Sequence, residues 1–244
     1  MKTSQYIHIM KLLNITVAIV LLTIISCNRQ TEKNNPYKLK ILSTSEEYLN
    51  SLNENNDNEF VDLIDWVPGV VLDIRYATSN NFTGQVVYDS PRAFARKPVA
   101  RALSDIQQEL KTKGLGLKVF DAYRPYSATL RFYEVMQGDT NFVAAPWRGS
   151  RHNRGCAVDV TLINPENGEE LEMPTPFDDF TEKAAIDYMD LPEEAVKNRQ
   201  LLIEIMTRYG FTTIPNEWWH FDYKNCQDFD LMDVTFEMLD EIRK

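Results

Sequence analysis

Ser150-Arg151-His152-Asn153-Arg154-Gly155-Cys156-Ala157-Val158-Asp159 brings a histidine, a glycine and an aspartate together and runs on into Val160-Thr161-Leu162. The apolar residues from Cys156 to Leu162 predict a short strand, and Gly155 lets the chain turn between the histidine loop and that strand. Asp159 falls between two valines. A bare carboxylate there is costly to bury, so it needs a partner, and a metal ion is one. Working outward, further short strands are predicted over Val70 to Tyr76, Leu117 to Ala122 and Trp218 to Tyr223. Val99, Leu103, Ile106 and Leu110 repeat at helical spacing up to Gly114. Ser127 is placed to cap a helix through Leu130, Tyr133 and Met136. Val196, Leu202, Ile203, Met206 and Tyr209 form a third stripe that ends at Gly210. Helices and strands interleave irregularly, and no glycine-rich phosphate loop follows a strand. The expected class is α+β, with a mainly antiparallel central sheet flanked by helices.

The remainder of the 244 residues sets the setting. A formal net charge of −10 repels polyphosphate and argues against nucleic acid as a partner. Lys2 and Lys11 precede and flank an apolar run from Leu12 to Ile25 that ends in Ser26-Cys27. This is the pattern of a secretory signal. A cysteine directly after the small residue resembles the bacterial lipobox, which implies a signal peptide over 1–26 and lipidation at Cys27; an ordinary signal peptide or an uncleaved anchor are the alternatives. The chain is therefore expected to be exported. It would be a lipoprotein facing the periplasm or cell surface, touching the membrane through that anchor only. Residues 27–58, rich in Asn, Glu, Lys, Ser and Thr, read as a polar tether, with a short strand or helix around Tyr37 to Leu52 left open. One catalytic domain is expected over 59–244. Export permits a disulfide between Cys156 and Cys226, and buried free thiols are the alternative.

Of three histidines, His8 lies in the signal, which leaves His152 and, in Glu217-Trp218-Trp219-His220, His220. Imidazole and carboxylate are good zinc ligands, so His152, Asp159 and His220 would make a site of two histidines and one carboxylate with room for water. Glu217 is three residues before His220, and in a regular strand such positions face opposite ways. Glu217 must sit on a bend or loop to share the site, and Pro215-Asn216 favours one. Beside the metal it could serve as general base.

These two segments, Ser-x-His-x-x-Gly-x-Ala-x-Asp and Glu-x-Trp-His, resemble those of the VanX-type D-alanyl-D-alanine dipeptidases, zinc enzymes of the hedgehog/DD-peptidase fold. Asp73-Ile74-Arg75-Tyr76-Ala77-Thr78, Asn81-Phe82-Thr83-Gly84, Asp121-Ala122-Tyr123-Arg124-Pro125 and Met173-Pro174-Thr175-Pro176-Phe177-Asp178 agree with it as well, with Ala122 replacing a glycine. The resemblance implies one Zn2+ per chain on His152, Asp159 and His220. It also implies Glu217 as base then acid, Arg124 stabilising the oxyanion, Asp178 holding the substrate ammonium, and Tyr76 and Ser150 lining the pocket, with Ser150 near the terminal carboxylate. Cys156 stands where relatives often have serine, and no spare histidine is present to activate it. The implied substrate is a small dipeptide, D-alanyl-D-alanine, in wall-peptide turnover or scavenging. A pocket that pairs both charged ends excludes longer peptides. A D,D-carboxypeptidase or endopeptidase on stem peptides, or a non-catalytic metal-binding surface module, are the competing readings.

Overall fold

β6 (Ala157–Ile163) is buried along its whole length, and the other central strands assemble around it. The computed structural model describes residues 35–243. The chain divides into two units, 1–39 and 40–244. Of the first, the described part is a turn in which Asn35 Oδ1 accepts from the Leu39 N–H at 3.0 Å. The expected signal peptide and Cys27 lie outside the described residues. Among the described residues no helix is long and apolar enough to cross a membrane.

The second unit carries a five-stranded sheet in the order β3 (Val71–Leu72), β5 (Gly116–Asp121), β6, β8 (Glu217–Tyr223), β7 (Phe211–Ile214). Only β3–β5 is parallel; the other pairings are antiparallel, as the α+β expectation requires. The strand expected over 70–76 is shorter than predicted, because the chain turns into a helical turn at Arg75–Ala77 that buries Tyr76. A second ladder pairs β2 (Phe60–Asp62) with β4 (Phe94–Arg96).

The short helix α2 (Leu63–Trp66) follows β2, and longer helices cover the sheet. α3 (Lys97–Thr112) buries Val99, Leu103, Ile106 and Leu110, the predicted stripe, and packs on β5. α4 (Tyr126–Val135) differs from expectation at its start. Pro125 holds the cap position, Ser127 lies inside the helix, and the orphan Ser127 N–H is met by Asp233 Oδ1 at 2.8 Å. A distant carboxylate thus does what a local hydroxyl was expected to do. α5 (Glu193–Arg208) packs against β6 and β7 through Ala195, Leu202, Ile205 and Met206. α6 (Phe236–Ile242) closes the described chain, with Phe236 and Leu239 buried.

Residues 40–58 hold both a strand and a helix, the elements left open around Tyr37 to Leu52 within the polar stretch. β1 (Ile41–Leu42) pairs in parallel with β9 (Leu231–Met232). α1 (Ser45–Glu54) starts in a capping box between Thr44 and Glu47, a local signal that polar composition alone conceals. Its Tyr48 is buried, and the phenol oxygen accepts the Phe60 N–H at 2.7 Å. The folded unit therefore begins near Lys40 rather than at 59.

Candidate active site

Three neighbouring strands supply one row of polar side chains. In the antiparallel register Asp121 of β5 stands opposite Asp159 of β6, and Asp159 opposite His220 of β8. His152 comes from the helical turn His152–Arg154 just before β6. That turn ends at Gly155 with φ 73°, where a Cβ would meet Phe60 Cε1 at 2.2 Å, so only glycine fits. His152 Nε2 then lies 3.2 Å from His220 Nδ1 and 3.4 Å from Asp159 Oδ1, and His220 Nδ1 lies 3.1 Å from Asp159 Oδ1.

The outer ring nitrogens decide what this cluster is for. His152 Nδ1 sits 2.7 Å from the Ala122 carbonyl oxygen and His220 Nε2 3.0 Å from Asp222 Oδ1, so each outer nitrogen donates its proton outward. Both inner nitrogens are left with lone pairs that point at each other and at a carboxylate. A proton can serve one such pair at a time, whereas a divalent cation serves all three. Ligands bound at ~2.0–2.1 Å around a tetrahedral zinc are about 3.3 Å apart, and the separations here are 3.1, 3.2 and 3.4 Å. The donor set fits zinc. The same attraction for positive charge appears in the titration of the ligands. Burial works against a charge on His220, but its bonds to Asp159 and Asp222 outweigh that and raise it to about 10. Burial likewise opposes ionisation of Asp159, yet the two imidazoles hold it well below the usual carboxylate range.

Glu217 is the first residue of β8, and its Oε2 is 3.8 Å from His220 Nδ1. Thr213 pairs with Phe221 but Ile214 pairs with Glu217, so the ladder slips between them. The slip breaks the alternation of faces and brings positions 217 and 220 to one side, so of the expected bend or loop it is a bend at the start of the strand, just after the turn at Pro215-Asn216. Burial raises Glu217 to about 6, with Asp159 adding to the shift and His220 opposing it.

Arg124 is buried against Asp121, whose Oδ2 accepts from Nε at 3.0 Å and Nη2 at 2.6 Å. Its guanidinium lies 4.7 Å from the Phe132 ring centroid, and Nη2 is 4.0 Å from Asp159 Oδ2. Burial disfavours its charge, but Asp121 more than compensates, so it stays cationic. Asn153 Nδ2 donates to the Arg124 carbonyl at 2.9 Å, and the Arg124 N–H donates to the His152 carbonyl at 3.1 Å. The loops that carry Arg124 and His152 are thereby joined.

Asp178 accepts the Tyr76 hydroxyl, 3.0 Å from each carboxylate oxygen. It has φ 61°, a left-handed conformation costly for a non-glycine residue, which aims the carboxylate at the cavity. Burial, then the charge of Asp159, pushes its proton affinity well above the ordinary aspartate range. Ser150 is buried, and its hydroxyl accepts the His152 N–H at 3.2 Å. All eight predicted pocket residues line one cavity of about 510 Å³.

Sequence reasoning missed several supports. Asp222, two residues past His220 on the same strand face, was readable as an acid within a buried strand. Asp121 lay inside a quoted motif without an assigned role. Phe82 also lay inside a quoted motif without an assigned role, and the half-buried rings Phe142 and Phe180 at the cavity carried no local signal. Cys156 and Cys226 are joined as a disulfide, which ties the start of β6 to the segment after β8.

Comparison with known proteins identifies the family of the chain. The family model described as D-ala-D-ala dipeptidase matches residues 56–238. The D-alanyl-D-alanine dipeptidase of Escherichia coli (strain K12) is 34% identical over 182 residues, which cover 75% of this chain and 93% of that protein. The D-alanyl-D-alanine dipeptidase of Enterococcus faecalis (strain ATCC 700802 / V583) is 32% identical over 184 residues, 68% of this chain and 91% of the relative. A solved structure of VanYB in complex with D-Alanine-D-Alanine is 17% identical with a TM-score of 0.37, over 58% of this chain and 78% of the other, too loose a likeness to carry an argument.

Proposed function

Because the chain belongs to the D-alanyl-D-alanine dipeptidase family of peptidases, we propose that it hydrolyses the D-alanyl-D-alanine dipeptide with one zinc ion held by His152, Asp159 and His220. The observation that carries this reading is the convergence of His152 Nε2, Asp159 Oδ1 and His220 Nδ1 at separations of 3.1 to 3.4 Å, with Glu217 beside them. Zinc bound there would supply a Lewis acid for the scissile carbonyl and lower the pKa of water toward ~7. Glu217, raised toward neutrality, takes a proton from the attacking water and delivers it to the departing amine nitrogen as the C–N bond breaks. Arg124, fixed by Asp121, donates to the carbonyl oxygen as negative charge builds on it. Asp178, oriented by Tyr76, pairs with the substrate ammonium, and Ser150 lies toward the terminal carboxylate.

Pairing both charged ends restricts the site to dipeptides, because a longer peptide removes one charge and leaves its partner unmatched. Metal analysis combined with an amine-release assay tests the reading. About one zinc per chain and turnover of D-alanyl-D-alanine, but not of L-alanyl-L-alanine, are expected. Hydrolysis of a pentapeptide stem alone would replace it with the carboxypeptidase reading.

We also propose export and lipidation at Cys27, followed by turnover or scavenging of wall-derived dipeptides. The apolar run before Ser26-Cys27 supports this, as does a disulfide, which persists in oxidising compartments. Labelled fatty acid should enter the full-length chain in a bacterial host and not its Cys27→Ala variant; equal labelling removes the anchor.

A further inference from the structure

The cavity has a wall that the chemistry leaves unused. Phe142 and Phe180 stack with centroids 5.0 Å apart and planes at 20°. Phe180 meets Phe82 at 5.2 Å, and Phe82 meets Phe132 at 5.0 Å and Tyr76 at 6.0 Å. The run of rings starts at the ammonium subsite: Tyr76 donates to Asp178, and Phe180 follows Asp178 by two residues. The wall is also held in place. Asn216 Nδ2 donates to the Asn141 carbonyl at 2.7 Å, which ties the segment bearing Phe142 to the turn just before Glu217.

In a dipeptide whose ammonium meets Asp178 and whose scissile carbonyl lies beside Glu217, the side chain next to the ammonium belongs to the N-terminal residue. An alanyl methyl covers little of three half-buried rings. The cavity, at about 510 Å³, falls among the ~300–1,000 Å³ sites that enclose ligands much larger than alanyl-alanine. We infer that this wall, chiefly Phe142 and Phe180, is a subsite for a bulky apolar side chain on the N-terminal residue. The preferred substrate class is then a D-dipeptide with a branched or aromatic residue preceding D-alanine. The inference rests on the dipeptidase reading and narrows it.

The test compares D-leucyl-D-alanine with D-alanyl-D-alanine on the zinc-loaded enzyme. The expected result is a kcat/KM for the leucyl peptide at or above that for the alanyl peptide, with KM about fivefold lower or more, because each buried methylene discriminates roughly tenfold or better. A lower kcat/KM for the leucyl peptide overturns the inference and leaves the dipeptidase reading intact. Turnover of neither removes both. Phe180→Ala should cut the leucyl-to-alanyl ratio at least fivefold while zinc content and melting temperature stay near the parent values, and Phe180→Leu should restore most of it. If Phe180→Ala fails to fold, Phe142→Ala takes its place. Calorimetric binding of both peptides to Glu217→Gln, read without turnover, should show the same order; equal affinities, or an unchanged ratio in the variants, overturn the subsite.

Discussion

The two sides of the cavity are built differently. On one side Asp159, His220 and Glu217 project from β6 and β8, adjacent strands of a sheet covered by helices, and their spacing follows from hydrogen-bond register. On the other side Tyr76, Asp178, Phe142 and Phe180 come from a helical turn and irregular loops, held by side-chain contacts and one left-handed residue. Register cannot drift by fractions of a residue, so the strand side suits groups that must meet an ion to within tenths of an ångström. Loops tolerate change in length and identity, so the other side suits contacts that select a substrate. Changes on the strand side should therefore appear in metal content and kcat, and changes on the loop side in KM.

The largest expected effect is at Glu217. Glu217→Gln should retain zinc and lose ~10²–10⁴ in kcat; undiminished turnover would end its role as base. Next comes Asp222→Ala, which removes the acceptor that holds His220 Nε2. Metal affinity should weaken by ~10–100-fold, measured by competition with a chelator. On the loop side, Asp178→Asn should raise KM by ~10–100-fold with a much smaller change in kcat, the value of a hydrogen bond to a charged group. A large kcat loss with unaltered KM would erase the contrast between the two sides. Asp178 also sets the acid side of the pH profile. Its raised proton affinity keeps it neutral at pH values where an ordinary aspartate is ionised, so the proposed ammonium pairing should be lost earlier as pH falls. KM should rise on acidification above the ordinary aspartate range, and Asp178→Asn should flatten that rise. Tyr76→Phe is the mildest change, with KM increasing roughly fivefold through loss of one hydrogen bond.

The candidate ligands were legible because each sits in a local pattern: an aspartate between valines, a histidine before a glycine turn, a second histidine after two tryptophans. The motif resemblance added Arg124, Asp178, Tyr76 and Ser150, all of which line the cavity. The helix stripe at Val99 to Leu110 was equally readable, because its period is local. Less was visible between Lys40 and Asn58, where a few apolar residues in a polar stretch find partners far along the chain, as Ile41 does with Leu231.

Residue identity and short-range spacing determined which groups of this protein are the candidates to bind a metal, move a proton and meet an ammonium. Tertiary structure alone decided that strand slippage turns Glu217 and His220 to the same side, that Asp121 and Asp222 become the braces of Arg124 and His220, that Cys156 reaches Cys226, and that three separate phenylalanines line one wall. The physical reason is range. Periodicity and turn chemistry act over a few residues, whereas each of those outcomes depends on which distant segments pair and in what register.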